Sequence, residues 1–208
     1  MQCYGEDDGG RRLQAAVGLG TMNTTLKFDG DVEADLELSS LSFAVILPVG
    51  ERTLLRAGGG PVLDGSLQVD GAPDQTFESA GLVFAGFEKR TGAADGWTPS
   101  HDLSLTLGFT WAKTSGEDGQ SADYRAGDLR AGARAGWVVK DWFFPYAAGR
   151  IFGGPVSWEF EGAEVTGTDA HHYQLAAGAG VSLGPLVLFF EVAAAGERGA
   201  NVGLASNW

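Results

Sequence analysis

Apolar and polar residues alternate along most of this chain with a period of two, which is the pattern of a β-strand with two different faces. The segment Asp102–Lys113 shows the pattern most clearly. One face carries Leu103, Leu105, Leu107, Phe109 and Trp111, and the opposite face carries Asp102, Ser104, Thr106, Gly108 and Thr110. A helix would spread these apolar residues around its circumference, so we predict a strand.

Similar segments recur along the whole chain, with turn-forming residues between them. The clearest are Leu55–Val69, Tyr124–Val139, His172–Leu183 and Asn201–Trp208. Counting all segments gives about ten strands, or about eight if the last two form one bent strand or if the first segment does not span the membrane.

In two segments the apolar residues change face partway along. Asp35–Val49 changes at Ser39-Ser40, and Pro145–Glu161 changes at Gly153-Gly154-Pro155. One inserted residue would produce such a change, so we predict a β-bulge at each place.

Length and composition favour one β-rich domain. The chain has 208 residues, of which 33 are glycine, about twice the usual share, and glycine disfavours helices. No apolar run reaches the roughly 18–20 residues that a membrane helix needs, whereas a membrane strand needs only about 9–11. We predict a flexible N-terminal segment over residues 1–11 and a single β-barrel domain over residues 12–208.

The character of the two faces indicates which side is turned outward. The polar faces carry much glycine, serine and threonine and only isolated charges, and lysine, which soluble strands usually display, is scarce in the strand segments. Aromatic residues stand near the ends of the apolar faces, as in the interfacial girdles of membrane barrels: Trp111, Trp137, Trp158, Tyr173 and Trp208. We therefore predict that the apolar faces contact lipid. A soluble β-barrel binding protein, with the faces reversed, is the alternative.

The end of the chain carries a resemblance to a known class. In Gly199–Trp208 an aromatic residue closes an amphipathic segment that has Val202 and Leu204 on the same face, although Ser206 departs from the pattern. This ending resembles the closing strand of bacterial outer-membrane barrels, and residues 12–208 resemble the small OmpA/OmpX-like barrel class.

The resemblance implies an all-β, antiparallel, up-and-down transmembrane β-barrel of about 8–10 strands in the outer membrane of a Gram-negative bacterium. The lipid bilayer and the outer-membrane assembly machinery, acting through the C-terminal strand, are the implied partners, with other envelope proteins as further candidates. The charged segment Gly5–Arg12 is not a secretory signal, so we expect a mature form whose signal peptide has been removed.

The inward faces of such a barrel would carry charges of both signs. The candidates are Arg56, Asp64, Asp128, Arg130, Arg134, Arg150 and Glu191. Buried charges need partners, so we predict Arg–carboxylate pairs that fill a narrow lumen. A narrow, porin-like passive diffusion pore lined by the arginines is the alternative.

Candidate chemistry is sparse. There is no Gly-x-Ser-x-Gly motif, and the adjacent His171 and His172 would point to opposite faces of a strand, so we predict no metal site and no cofactor. A pair of Asp169 and His171 in a membrane-embedded hydrolase is the weakest hypothesis. The net charge of −13, carried largely by acidic loops, opposes nucleic-acid binding. We predict a non-enzymatic outer-membrane protein with a structural or surface-interaction role.

Overall fold

A computed structural model describes residues 13–30, 32–92, 98–116, 121–160 and 162–206. These residues form twelve β-strands: β1 (Gln14–Phe28), β2 (Val32–Pro48), β3 (Thr53–Val69), β4 (Gln75–Arg90), β5 (Ser100–Ser115), β6 (Ser121–Gly136), β7 (Phe143–Gly153), β8 (Val156–Phe160), β9 (Ala163–Asp169), β10 (Tyr173–Leu183), β11 (Leu186–Gly196) and β12 (Arg198–Ser206). No α-helix in this part of the chain is long and apolar enough to cross a membrane.

The strands pair in antiparallel fashion, and the sheet closes on itself. The first half of β1 pairs with β12, from Ala16 opposite Ala205 to Asn23 opposite Arg198. The closed circuit contains ten strands, β1–β7 and β10–β12, and we call it the lower ring. The predicted all-β, antiparallel barrel is therefore confirmed.

The hairpin of β8 and β9 closes the barrel a second time. β8 pairs with the beginning of β6, where Trp158 lies opposite Tyr124, and β9 pairs with the end of β1, where Gly167 lies opposite Phe28. At this end of the barrel the circuit therefore contains eight strands, β1–β6, β8 and β9, and we call it the upper ring. The predicted count of about eight to ten strands agrees with the numbers of strands in the two rings, which are eight and ten.

The outside of the lower ring is apolar. Leu107, Ile151 and Leu175 are 61%, 66% and 56% exposed, and many other large apolar side chains share this surface. A band of this extent would be unstable in water, and it is what a barrel presents to lipid tails. β7, β10 and β11 have 11 residues each, the length that a membrane strand needs. The prediction that the apolar faces point outward is confirmed for the lower ring.

The upper ring has the opposite arrangement. Its interior is filled by buried apolar side chains, of which Leu26, Leu36, Leu67, Tyr124 and Trp158 are at most 2% exposed. Its exterior is acidic, with Glu33, Asp35 and Glu37 of β2 exposed. β1–β6 are 15 to 17 residues long, so they reach beyond the membrane belt into this ring.

The reversal explains why apolar residues change face along β2. Leu36 points into the upper ring, and Ala44, which lies on the same face of β2, lines the inside of the lower ring. The predicted bulge is present at this height, but the inserted residue is in β3. Ser39 pairs with Asp64 and Ser40 pairs with Val62, which leaves Leu63 as the extra residue.

The second predicted bulge, at Gly153-Gly154-Pro155, is wrong. Leu129 pairs with Gly153 and Ala126 pairs with Val156, so β7 and β8 follow β6 in the same register with no residue inserted. The alternation of inward and outward residues continues without interruption. What changes is the interior, which is polar beside β7 and apolar beside β8.

Candidate functional site in the lumen

Two arginines of the lower ring form bidentate ion pairs inside the lumen. Arg130 of β6 donates from Nη1 and Nη2 to the carboxylate of Glu197 at 2.8 and 2.9 Å. Arg150 of β7 donates to both oxygens of Glu191 at 2.7 Å. The planar guanidinium matches the planar carboxylate, and such pairs are stronger and more directional than single hydrogen bonds. They connect β6 and β7 to the β11 side of the barrel.

A third arginine joins two carboxylates from neighbouring strands. Arg134 of β6 donates to Asp102 Oδ2 at 2.7 Å and to Glu88 Oε1 at 2.7 Å. Asp102 is only 4% exposed and also accepts a hydrogen bond from Arg90 Nε at 3.2 Å. Both oxygens of this buried carboxylate are therefore compensated by positive charge, as a buried carboxylate requires.

Polar and aromatic side chains join these pairs into one network. Gln174 of β10 donates from Nε2 to Glu197 at 2.7 Å and accepts a hydrogen bond from Arg150. The guanidinium of Arg130 lies 4.3 Å from the centre of the Phe152 ring. The network thus connects β6, β7, β10 and β11, which follow one another around one side of the lower ring.

Within the described part of the chain, two buried side-chain polar atoms of the lumen have no hydrogen-bond partner. Arg56 of β3 donates from Nη2 to the hydroxyl of Thr106 at 2.6 Å, but its Nε is buried and unpaired. Asp128 accepts a hydrogen bond from Arg130 through Oδ2, whereas its Oδ1 is buried without a partner. Among the described residues, Arg56 has no carboxylate within 4 Å, unlike the other three lumen arginines.

A cavity of about 290 Å³ lies beside this network, toward the end of the barrel where β1 begins and β12 ends. Charged lining comes from Arg56, Glu88, Arg134, Arg150 and Glu191. Apolar lining includes Ile46, Leu54, Phe84, Val187 and Phe189, and polar lining includes Gln14, Ser42, Tyr146, Asn201 and Ser206. The upper side of the lumen is filled by the apolar interior of the upper ring.

Most of the charged residues predicted for the lumen lie together in the structure. These are Arg56, Asp128, Arg130, Arg134, Arg150 and Glu191. Asp64 does not lie with them, because the inserted Leu63 shifts the alternation of β3 and leaves Asp64 exposed on the outer surface. The prediction for Asp64 is corrected accordingly.

Five charged or polar members of the network are absent from the sequence prediction. They are Glu88, Arg90, Asp102, Gln174 and Glu197. Asp102 and Gln174 stand on polar strand faces, so alternation alone was a usable signal for both. Glu197 stands in a segment that reads as an acidic connector, and only the short turn between β11 and β12 brings it into the lumen.

The aromatic residues predicted for the membrane interface lie in different parts of the structure. Trp111 and Tyr173 are 43% and 48% exposed on the outside of the barrel, and Trp137 is half-buried just after β6. Trp158 is 1% exposed and its indole nitrogen donates to the hydroxyl of Thr114 in the upper ring, so its predicted interface position is wrong. Trp208 lies outside the described residues.

Further aromatic surface comes from Trp142, which is 50% exposed at the opposite end of the lower ring from Tyr173. The sequence pattern did not single it out, because it stands in the turn before β7 rather than on an alternating face.

Asp169 and His171 are not joined by a hydrogen bond or ion pair in the described part of the chain. Asp169 accepts a hydrogen bond from Thr24 at 3.3 Å, and His171 packs near the ring of Tyr173. Burial and the nearby carboxylates of Glu197 and Asp128 raise the pKa of Asp169 to about 6. Among the described residues, no group of three or more histidine, cysteine, aspartate or glutamate side chains is arranged to hold a metal ion.

Comparison with known proteins places this geometry in a fold class. No protein-family model matches the sequence, and no curated protein matches it. Among solved structures, the chain is similar to the translocator domain of the autotransporter NalP from Neisseria meningitidis, with 15% identity, a TM-score of 0.51, and coverage of 98% of this chain and 90% of that one.

Two further structures give TM-scores of 0.46. They are the beta domain of the Bordetella autotransporter BrkA, at 14% identity over 93% of this chain and 99% of that one, and an outer-membrane channel from Pseudomonas putida F1, at 10% identity over 96% and 98%. The likeness to the NalP domain shows the fold, which is that of a bacterial outer-membrane β-barrel. The predicted class-level resemblance is confirmed, and this fold and the lipid-facing belt together support an outer-membrane location.

Proposed function

We propose that this chain is an integral outer-membrane β-barrel protein with a closed lumen and a non-enzymatic, structural or surface-interaction role. The lower ring is anchored in the bilayer, and the upper ring stands beyond it as a rigid extramembrane surface. The observation that carries the proposal is the apolar interior of the upper ring, where Leu67 and Trp158 are 0% and 1% exposed. Water and ions have no path through such an interior.

The network in the lower ring supports the same proposal. An ion that crosses would have to separate pairs such as Arg130 with Glu197, in which the nitrogen–oxygen distances are 2.8 and 2.9 Å. Separating a buried pair leaves two charges uncompensated, which is strongly unfavourable.

A narrow passive diffusion pore is the second candidate, and the cavity of about 290 Å³ in the lower ring is the observation that favours it. In that case the cavity would be one half of a path that continues when the hairpin of β8 and β9 moves. Conductance separates the two candidates.

The experiment uses the full chain, refolded into vesicles and fused into a planar lipid bilayer. We expect no stepwise conductance from protein whose folding is verified by the shift in its electrophoretic mobility on heating. The double variant Trp158→Ala, Leu67→Ala removes two interior side chains of the upper ring without altering the lipid-facing belt, and it serves as an opened control. Regular current steps from the unaltered chain would support the pore and contradict the closed barrel.

We also propose that the assembly machinery recognises the C-terminal strand. Val202 and Leu204 of β12 support this, because they are 46% and 39% exposed on the lipid-facing side of the strand that completes the lower ring. Polar replacement of both residues is expected to reduce the amount of heat-modifiable barrel recovered from membranes.

A further inference from the structure

The cavity of the lower ring contains one arginine that the charge network leaves unpaired. Among the residues that the structure describes, the hydroxyl of Thr106 is the one hydrogen-bond partner of the Arg56 guanidinium, whose Nε is buried without one. Arg130, Arg134 and Arg150 each bind a carboxylate. Glu88 lines the same cavity and attracts Arg56, but its carboxylate is bound to Arg134 rather than to Arg56. A buried cation without a directly bound counter-charge is unfavourable, so Arg56 retains an unused capacity to bind an anion.

The charges around the cavity indicate how many negative charges such an anion would carry. Three arginines, Arg56, Arg134 and Arg150, line it together with two carboxylates, Glu88 and Glu191. The lining therefore has one positive charge in excess, and the residue without a carboxylate partner is Arg56. A monoanion would balance the lining, whereas a dianion would overcompensate it.

The remaining lining indicates the rest of the molecule. Aromatic and aliphatic side chains, among them Leu54, Phe84 and Phe189, face the same space as Arg56. An inorganic anion would leave this apolar surface uncovered. The volume of about 290 Å³ is near the lower end of the range of small-molecule sites, about 300–1,000 Å³, so the ligand would be small.

We propose that this cavity binds a small monocarboxylate with an apolar body, such as an aromatic or short-chain acid. Its carboxylate pairs with the guanidinium of Arg56 in the fork geometry that Arg150 already makes with Glu191, and its apolar part packs against Phe84 and Phe189. A barrel closed by its upper ring can hold this ligand without conducting, so the site goes beyond the proposed function and does not depend on it.

The test uses the full chain folded in non-ionic detergent micelles, with benzoate as the probe and isothermal titration calorimetry as the measurement. We expect saturable benzoate binding that is at least ten times tighter than the binding of benzyl alcohol, which has the same apolar ring but no charge. Arg56→Gln is expected to weaken benzoate binding at least tenfold. Arg52→Gln, which removes an exposed arginine in the turn just before β3, is the matched control and should leave binding unchanged.

Three results would overturn the proposal. Benzoate and benzyl alcohol could bind equally well, which would indicate partition into the micelle. Benzoate could bind Arg56→Gln as tightly as the unaltered chain, which would remove the role of Arg56. Inorganic phosphate could bind as tightly as benzoate, which would leave no role for the apolar lining.

If Arg56→Gln does not fold, as judged by heat-modifiable mobility, the three probes on the unaltered chain still decide. Current steps in the bilayer experiment would contradict the closed lumen but not this site.

Discussion

Glu197 shows how much a single side chain contributes to the lumen. It is 4% exposed, in the turn between β11 and β12, and accepts hydrogen bonds from Arg130 and Gln174. Removing one partner of a buried ion pair costs about 3–5 kcal/mol, because the other charge stays buried. Asp128 remains beside Arg130, so the lower end of this range applies.

We therefore expect Glu197→Gln to lower the free energy of unfolding by about 3 kcal/mol, measured by denaturant titration in micelles. Glu159→Gln, on the exposed outside of the upper ring, is the control and should change it by less than about 0.5 kcal/mol. Equal effects of the two variants would mean that the pair contributes nothing beyond a surface charge.

Asp169 gives the chain a pH-dependent stability. Its pKa is raised from 3.8 to about 6 by burial and by Glu197 and Asp128, against the opposing effects of Thr24 and Arg130. Between about pH 4 and 6 the folded chain holds a proton that the unfolded chain has released, so stability falls as pH rises through this window and stays lower above it.

Asp169→Asn cannot ionise, so it should match the unaltered chain near pH 4 and exceed it above pH 6. We expect a gain of about 1–3 kcal/mol, measured as the difference between the two unfolding free energies at several pH values. A difference that does not vary with pH would show that Asp169 ionises normally in the fold.

The alternation of polar and apolar residues correctly predicts lumen charges where inward and outward residues alternate along the whole strand. It fails where one inserted residue interrupts that alternation. Arg130 and Arg134 follow the uninterrupted alternation of β6, and both lie in the lumen. Asp64 lies one residue past the inserted Leu63, and its side chain is therefore on the other side of the sheet. Local sequence does not reveal an insertion that is defined only by pairing with another strand.

At the scale of elements, the hairpin of β8 and β9 is the feature that the sequence did not predict. Its residues alternate like those of a membrane strand, and the sequence pattern therefore predicts a lipid-facing position for Trp158. In the structure their apolar side is turned inward, onto Tyr124 and Phe28. Alternation identifies the two faces of a strand, but whether the apolar face is turned inward depends on height relative to the bilayer.

Trp158 provides the test of this element. Truncating a fully buried tryptophan to alanine costs about 3–5 kcal/mol, and we expect Trp158→Ala to lower the free energy of unfolding by that amount. Because the loss is in the upper ring, we also expect faster proteolysis at the connection between β8 and β9.

Trp111→Ala, on the outside of β5, is the matched control, and it should leave the rate of proteolysis at that connection unchanged. If both variants accelerated cleavage equally, Trp158 would have no special role in holding the hairpin.

At the scale of the whole molecule, the barrel combines two kinds of surface on one set of strands. Leu107 of β5 and Glu37 of β2 both point outward, the first from the lower ring and the second from the upper ring. A side chain introduced at position 107 is therefore expected to contact lipid, whereas the same side chain at position 37 is expected to contact water.

We expect Leu107→Arg to destabilise the barrel in vesicles by about 2–4 kcal/mol, the cost of a lipid-facing arginine near the bilayer centre. Glu37→Arg should change stability by less than about 1 kcal/mol. Both are measured as the fraction of heat-modifiable, folded chain after refolding into vesicles over a range of urea concentrations. Equal tolerance of the two arginines would place the membrane belt elsewhere on the barrel.

The edge of β1 is shared by two partners, β12 along residues 16–23 and β9 along residues 26–28. The first and last strands can therefore separate without breaking any hydrogen bond between β1 and β9. An opening between β1 and β12, at the height of the lipid tails, would leave the pairing of β1 with β9 intact. The barrel would then open sideways toward the bilayer while its extramembrane end stays closed.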